Sequence, residues 1–212
     1  MSRLTLAHIR MALGGRLPGQ AAQLTMAPQP RTMPPPPGVE PRRAGVLLLL
    51  YPTDAVLHIV LTVRSAGLNH HGGQVSFPGG GWEEGDASLQ ETALREACEE
   101  LGFCHGIVEV LGPLTPLYVP PSNNLVHPYV AYAPERPDFC PDANEVAQLL
   151  EIPLPHFFDP QVRRVERWER NGMPLDVPFF AVGKVKIWGA TAIMLAEFVA
   201  AIASPLEGSY AV

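Results

Sequence analysis

The sequence is poor in cysteine. Its 212 residues include three, Cys98, Cys104 and Cys140, and no two of them form a close pair such as CxxC. Three cysteines cannot all pair internally, and isolated cysteines do not make the ligand set of a zinc site. The sequence therefore argues against a disulfide framework and favours a reducing compartment.

Long apolar runs and basic stripes are also missing. The segment "AGVLLLLY" (44–51) has the length of a buried strand and falls well short of the ~20 apolar residues that span a bilayer. The net charge is −6, whereas general nucleic-acid affinity rests on Lys and Arg neutralising phosphates. With 47% apolar and 17% charged residues, the chain is typical of a globular protein. We expect no membrane span and no nucleic-acid partner.

The first 39 residues contain four arginines and no acid, so the other eleven basic residues share the rest of the chain with all 21 acids. Within this start, "SRLTLAHIRMAL" predicts a short helix and "PQPRTMPPPPG" a stiff, polyproline-like spacer. An Arg-rich, acid-free start is typical of an organelle transit peptide, although such a helix can equally dock on the domain. We expect a cytoplasmic protein, with an organellar location as the alternative.

The rest of the chain mixes predicted strands and helices, beginning near Arg43. Runs rich in Val, Leu, Ile and aromatic residues predict strands, and "NEVAQLLEIPL" (144–154) predicts a short helical turn. The predicted strands are "GVLLLLY", "AVLHIVLTVR", "QVSFP", "IVEVLGPLTPLYVP", "NLVHPYVAYAP", "RRVERWER" and "PFFAVG". A last helix is predicted over "GATAIMLAEFVAAIA" (189–203).

An acidic helix is predicted from Asp86 to Leu101, directly behind three consecutive glycines. Asp86 is a suitable N-cap, good helix formers follow, and Gly102 stands where a C-terminal glycine is expected. The glycine loop permits a tight backbone approach to the helix start. The residues that we expect on its buried face are Ala93, Leu94, Ala97 and Leu101.

Three glutamates of this helix, Glu96, Glu99 and Glu100, recur at i, i+3 and i+4 and therefore project from one surface. Their mutual repulsion weakens an isolated helix by about 0.2–0.5 kcal/mol per pair. A hard cation such as Mg²⁺ or Mn²⁺ prefers carboxylate and phosphate oxygens and would compensate. The alternative is a solvated helix face. Arg95 is expected to anchor the loop by pairing with Glu99 or Glu83.

These residues resemble the Nudix box, whose pattern is Gly, five residues, Glu, seven residues and then Arg-Glu-hydrophobic-any-Glu-Glu-any-Gly-hydrophobic. The motif "REACEELGF" (95–103) matches every position of the second half. The first half departs from the pattern: five residues after Gly80 lead to Asp86 in place of Glu, and eight rather than seven residues separate Asp86 from Arg95.

That departure resembles the coenzyme A pyrophosphatase branch of the Nudix hydrolases. The segment "LTVRSAGLNHHGGQVSFPGG" (61–80) is similar to the upstream motif of that branch, and "IWGATA" (187–192) to the start of its last helix. Asn69 stands where the upstream motif has Arg. The missing cation is expected to weaken the binding of a phosphate-rich substrate such as coenzyme A.

The resemblance implies an α/β/α sandwich with a mixed β-sheet, formed by residues 43–212, with residues 1–42 as an N-terminal helix and Pro-rich segment. It implies that Glu96, Glu99 and Glu100 are the metal-binding and catalytic carboxylates, joined by the Gly80 carbonyl. Glu145 is the candidate for a further acid, with a turn-capping or solvated role as the alternative. Arg64 is the candidate for binding substrate phosphates, with a surface ion pair as the alternative.

The resemblance also implies an enzyme that binds Mg²⁺ or Mn²⁺ and hydrolyses coenzyme A or its derivatives to 3′,5′-ADP and a 4′-phosphopantetheine. Either Glu96 or Glu145 is expected to act as the base. The alternatives are hydrolysis of another nucleoside diphosphate derivative, such as NADH, ADP-ribose or an oxidised nucleotide, and a catalytically silent binding module. The expected partner is a small-molecule substrate, and the sequence leaves a homodimer open.

Overall fold

The structure is a computed structural model that describes residues 4–29, 35–65, 73–103, 105–170 and 172–207. The chain forms two compact units, one made of residues 33–154 and the other of residues 1–32 together with 155–212. The predicted division between residues 42 and 43 stays a prediction.

The unit of residues 33–154 is a β-sheet with one long helix. Its elements, in chain order, are β1 Arg42–Thr53, β2 Val56–Arg64, β3 Val75–Ser76, β4 Gly79–Gly81, α3 Leu89–Leu101, β5 Glu109–Pro113, β6 Leu117–Val119, β7 Asn124–Tyr132 and β8 Val146–Pro153. Strands β1 and β2 are joined by a tight turn at Asp54 and Ala55, both with positive φ. Such a turn favours an antiparallel hairpin, and β1 and β2 pair in that way.

The sheet is mixed, as predicted. Its path among the described strands is β3-β2-β1-β7-β5, while β4 pairs with β1, β6 with β7 and β8 with β2. Strands β1 and β7 run parallel, and the other pairs are antiparallel. The antiparallel β1–β4 pair places Gly45 opposite Gly80, so β1 carries the glycine loop along its edge.

Helix α3 packs against one face of this sheet. Ala93, Ala97 and Leu101 are fully buried against Leu47 and Leu49 of β1, which confirms three of the four residues predicted for the buried face. The fourth, Leu94, is partly buried against the same cluster. A Cβ at Gly45 would lie 2.4 Å from the Leu89 carbonyl oxygen and 2.9 Å from the Ala93 nitrogen. The missing side chain therefore lets the helix lie directly on the strand.

The second unit is built from helices and a three-stranded antiparallel sheet in the order β11-β10-β9. Its elements are α1 Leu6–Gly14, α2 Gly19–Gln23, β9 Arg163–Arg170, β10 Met173–Val182, β11 Val185–Trp188 and α4 Gly189–Glu207. The predicted N-terminal helix is confirmed as α1, with Thr5 as its N-cap. In the described part of the chain, no helix is both long and apolar enough to cross a membrane.

Two predictions of secondary structure were wrong. The segment 146–153 is the strand β8, paired along β2, and not a helical turn. The segment "IVEVLGPLTPLYVP" was predicted as one strand, whereas it forms β5 and β6, which both pair with β7. In each case the partner strand supplies the hydrogen bonds that decide the conformation.

Candidate active site

Helix α3 has clear signals at both ends. Ser88 is the N-cap, and its hydroxyl oxygen accepts from the amide of Glu91 at 3.2 Å. The Glu91 carboxylate in turn accepts from the amide of Ala87 at 2.9 Å. At the other end Gly102 adopts the left-handed conformation, with φ of 66°, and donates to the Cys98 carbonyl. The predicted N-cap role of Asp86 was wrong, because Ser88 takes that role.

The three glutamates of α3 are not equally exposed. The side chain of Glu99 is 62% exposed, that of Glu96 is 17% exposed and that of Glu100 is 2% exposed. Spacing along the helix places all three near one another, but α3 rests on the sheet and turns Glu100 inward. The acids therefore run from solvent at Glu99 to the protein interior at Glu100.

Burial controls the protonation of the two inner acids. It raises the pKa of Glu100 to about 7, with Arg64 opposing and the nearby charges of Glu145 and Glu96 adding to the rise. Burial also raises the pKa of Glu96, where Arg95 opposes the effect. Repulsion from Glu145 contributes at both positions, so this acid belongs to the same electrostatic cluster.

One oxygen of the cluster lacks a partner. Among the described residues, no group hydrogen-bonds Oε2 of Glu100, although this atom is buried. A buried carboxylate oxygen is costly unless a donor or a cation compensates it, and carboxylates are preferred ligands of hard divalent cations. The carboxylate oxygens of this cluster therefore fit a divalent cation. Within the same described residues, no three His, Cys, Asp or Glu side chains already stand in a metal-binding arrangement.

Arg95 holds the outer part of the cluster with five hydrogen bonds, which is the full donor capacity of a guanidinium. Two go to Asp86, from Nε to Oδ1 and from Nη2 to Oδ2, each at 3.0 Å. Nη1 donates to Glu96 at 3.0 Å and to Glu99 at 3.2 Å, and Nη2 to the Gly81 carbonyl at 3.2 Å. The predicted pairing with Glu99 is confirmed, and the alternative with Glu83 is not observed.

Asp86 binds Arg95 and does not cap the helix. Its side chain is 7% exposed, and besides Arg95 it accepts from the Glu83 amide at 3.1 Å and the Thr92 hydroxyl at 2.8 Å. The bonds from Arg95 keep the pKa of Asp86 well below its usual range. The one-residue insertion in the first half of the box was the sequence feature that could have indicated this role. It moves the acidic residue by one position, and the acidic side chain must still reach Arg95.

We expect Asp86→Ala to lower the hydrolytic rate by about 10- to 100-fold, the usual cost of losing a group that orients ligating residues. Without Asp86, Arg95 keeps only Glu96, Glu99 and the Gly81 carbonyl, so the loop and the helix lose their link. Steady-state kinetics on a diphosphate substrate measures the effect. Glu84→Ala, which removes an exposed acid from the same loop, is the control. Equal rates for the two variants would contradict this role.

Gly80 lies against the acids. A Cβ at this position would fall 2.3–2.6 Å from the carboxylate atoms of Glu96. The glycine therefore leaves room for the Glu96 side chain beside the backbone of β4. The predicted use of the Gly80 carbonyl as a ligand stays a prediction.

Arg64 ends β2 beside the buried acid. Its Nη1 lies 3.5 Å from Oε1 of Glu100, and its side chain is 26% exposed. The pair is therefore an ion pair with a buried acid, not the surface ion pair considered from the sequence. The remaining donors of the guanidinium can serve a phosphate.

Glu145 reaches the cluster from the loop before β8. Its carbonyl accepts from the Ser65 amide at 2.8 Å, and its own amide donates to the Asp142 carbonyl at 3.0 Å. The structure thus brings together Arg64, Glu96, Glu99, Glu100 and Glu145. Asn69, the mismatch in the upstream motif, lies outside the described residues.

Comparison with known proteins agrees with this geometry. The family model described as "NUDIX domain" matches residues 41–168. The chain is 34% identical over 165 residues to a probable Nudix hydrolase, C6G9.05, of Schizosaccharomyces pombe, across 77% of this chain and 58% of that protein. It is also 34% identical over 173 residues to the mitochondrial coenzyme A diphosphatase NUDT8 of Homo sapiens, across 80% of this chain and 72% of that protein. The chain thus spans less than two thirds of the length of the yeast protein.

A solved structure shows the same fold. The crystal structure of a MutT protein from Methanosarcina mazei Go1 superposes with a TM-score of 0.50, at 16% identity, over 78% of this chain and 95% of that one. The family match covers more than half of the chain and includes the box helix and its acids. The predicted fold is confirmed, and the chain belongs to the Nudix hydrolase family.

Proposed function

We propose that this protein hydrolyses the diphosphate bond of coenzyme A or its derivatives, giving 3′,5′-ADP and a 4′-phosphopantetheine, with Mg²⁺ or Mn²⁺ as the cation. Nudix hydrolases generally use divalent cations. The observation that carries the proposal is the buried, unpartnered oxygen of Glu100 within a cluster of four acids. Coenzyme A is favoured because the relative NUDT8 is a coenzyme A diphosphatase.

The proposed roles follow from the burial of each acid. Glu96, Glu99 and Glu100 would hold the cation, together with the Gly80 carbonyl. When bound, such an ion offsets negative charge on phosphoryl oxygens and lowers the pKa of water. Glu96 or Glu145 orients the attacking water and accepts its proton. Arg64 directs guanidinium N–H groups at the substrate phosphates.

The bond that breaks is the phosphoanhydride. Water attacks one phosphorus atom, its oxygen stays on that phosphorus, and the other phosphate leaves with its own bridging oxygen. Water in H₂¹⁸O would therefore label one of the two products only. Incubating the protein with coenzyme A, acyl-coenzyme A, NADH, ADP-ribose and an oxidised nucleotide, followed by product analysis, identifies the substrate. The proposal expects coenzyme A or its acyl derivatives to turn over fastest.

Turnover of ADP-ribose or NADH in preference to coenzyme A would replace the proposed substrate with another nucleoside diphosphate derivative. Absence of hydrolysis for every compound would instead favour a silent binding module. Dephospho-coenzyme A, which lacks the 3′-phosphate, separates recognition of that phosphate from recognition of the diphosphate. A rate equal to that of coenzyme A would show that the 3′-phosphate is not recognised.

Metal binding has a separate test. A ligand that binds only the folded state stabilises it, by about 2.7 kcal/mol at a concentration 100 times its Kd. We expect Mg²⁺ or Mn²⁺ to raise the unfolding temperature of the protein, because the ion compensates the buried charge of Glu100. Differential scanning fluorimetry with and without each ion measures the shift. The Glu100→Gln variant is the control and should show a reduced shift.

A further inference from the structure

The loop of residues 140–145, here named the acid loop, ties Glu145 to the end of α3. Its amides donate to the last carbonyls of the helix, from Cys140 to Leu101 at 2.8 Å and from Asp142 to Glu100 at 3.0 Å. These carbonyls have no partner within the helix itself. The acid loop therefore caps the same turn that carries Glu100.

Asp142 fixes the turn inside the acid loop. Its Oδ1 accepts from the backbone amide of Asn144 at 2.9 Å and from the Asn144 side-chain amide at 2.8 Å. Its carbonyl accepts from the amides of Glu145 at 3.0 Å and Val146 at 2.8 Å. Aspartate side chains hold turns in this manner by bonding the backbone two residues on. The Asp142 side chain therefore holds the turn that leads into Glu145 through its two bonds to Asn144.

The other end of the acid loop is tied to β2. The Ser65 amide donates to the Glu145 carbonyl at 2.8 Å, and the Ser65 hydroxyl to the Ala143 carbonyl at 3.1 Å. Val146 pairs with Arg64 in the sheet register. Glu145 is thus held between the last turn of α3 and the end of β2, next to the two residues that form the Arg64–Glu100 ion pair.

We infer that Asp142 is a positioning residue that sets Glu145 against Glu96 and Glu100. The side chain of Asp142 is exposed, so it adds little to the core, and its described bonds are those of the turn. The inference rests on the proposed hydrolytic function, in which Glu145 is one of the acids. Asp142 acts through Glu145 and has no contact with the substrate in this role.

The test is a double-mutant cycle with Asp142→Ala, Glu145→Gln and the combination of both. We expect Asp142→Ala to lower kcat about 10- to 100-fold, as loss of an orienting group does. In the Glu145→Gln background the same change should cost less than about 3-fold, because coupled residues are non-additive. Asp142→Asn should keep most of the activity, since its amide oxygen can accept the same two bonds.

A second readout needs no turnover. Calorimetric titration of each variant with Mn²⁺ alone should show weaker binding for Asp142→Ala and for Glu145→Gln, and no further loss in the double variant. Asp159→Ala is the matched control, because Oδ1 of Asp159 accepts from the Gln161 amide at 2.9 Å in the same kind of turn within the other compact unit. This variant should keep the wild-type kcat and Mn²⁺ affinity.

If the losses of kcat and of Mn²⁺ affinity were additive in the double variant, the inference would be overturned. Additive losses would show that Asp142 has a general structural role. It would equally be overturned if Asp142→Ala or Glu145→Gln left both kcat and Mn²⁺ affinity unchanged. If the wild-type protein hydrolysed no diphosphate, the proposed function would fail, and the Mn²⁺ cycle alone would decide the role of Asp142. The two failures are therefore distinguishable.

Discussion

Glu99→Gln is expected to lower the metal-dependent hydrolytic rate about a thousandfold while leaving the fold intact. A cation that stabilises charge on phosphoryl oxygens contributes several kcal/mol, and each ~1.4 kcal/mol corresponds to a tenfold change in rate. The glutamine keeps the shape of the side chain but removes a charged ligand. Steady-state kinetics with saturating Mg²⁺ or Mn²⁺ measures the loss.

The stability of this variant should change little. The Glu99 side chain is 62% exposed, and its pair with Arg95 is an i,i+4 helix pair, worth about 0.3–0.5 kcal/mol. Urea unfolding of the metal-free protein measures this difference. Glu84→Gln, which removes the same charge from an exposed position of the box loop, should retain wild-type activity. A Glu99→Gln rate close to that of Glu84→Gln would rule out Glu99 as a ligand.

Gly45→Ala should cause the largest loss of stability. The added Cβ would meet the Leu89 carbonyl oxygen at 2.4 Å and the Ala93 nitrogen at 2.9 Å, and both are backbone atoms that cannot rotate away. Overpacking costs about 1–3 kcal/mol where side chains adjust, so we expect about 3 kcal/mol or more here. Urea unfolding of the metal-free protein measures the change. Activity should fall as well, since α3 carries the acids.

Gly81→Ala is the stability control for this prediction. Residue 81 lies in β4, opposite Ala44 of β1, and a Cβ there would meet no atom within 4 Å. Its change in unfolding free energy should therefore be small or favourable, because alanine restricts the unfolded chain more than glycine does. Similar losses at positions 45 and 81 would show that the contact with α3 is not the cause.

The helix that carries the acids was predictable because local signals agree with one another. Good helix formers, an apolar face and a terminal glycine all indicate the segment that forms α3. The start was misplaced because Asp86 and Ser88 are both good N-caps. The pattern Ser88-x-x-Glu91 is typical of a helix start and would have favoured Ser88, leaving Asp86 for Arg95.

The strand β8 was not predictable from its own residues. Leu149 and Leu150 are adjacent, so with Val146 they fit helical spacing better than a strict alternation of two. In the structure Val146, Leu150 and Ile152 are buried, and β8 pairs along most of β2. A register irregularity at Val63 and Arg64 accompanies this pairing. Pairing with β2, which is distant in sequence, stabilises this segment as a strand and not as a helix.

The unequal burial of the three glutamates could not be predicted either. The sequence places Glu96, Glu99 and Glu100 on one side of α3, but it does not say how far that side is turned toward the sheet. Contacts with Arg64 at the end of β2 and with the acid loop enclose Glu100, while Glu99 stays in solvent. These neighbours lie more than 30 positions away along the chain on either side.

Gly45 also sets the distance between α3 and the sheet. Because backbone meets backbone there, this spacing is defined by atoms that every amino acid shares, and not by the size of a side chain. Exchanges among the apolar residues further along β1 can alter packing density without lifting this end of the helix. The core can therefore be redesigned while the contact between Gly45 and Ala93 stays fixed. This contact lies about one helical turn before Glu96.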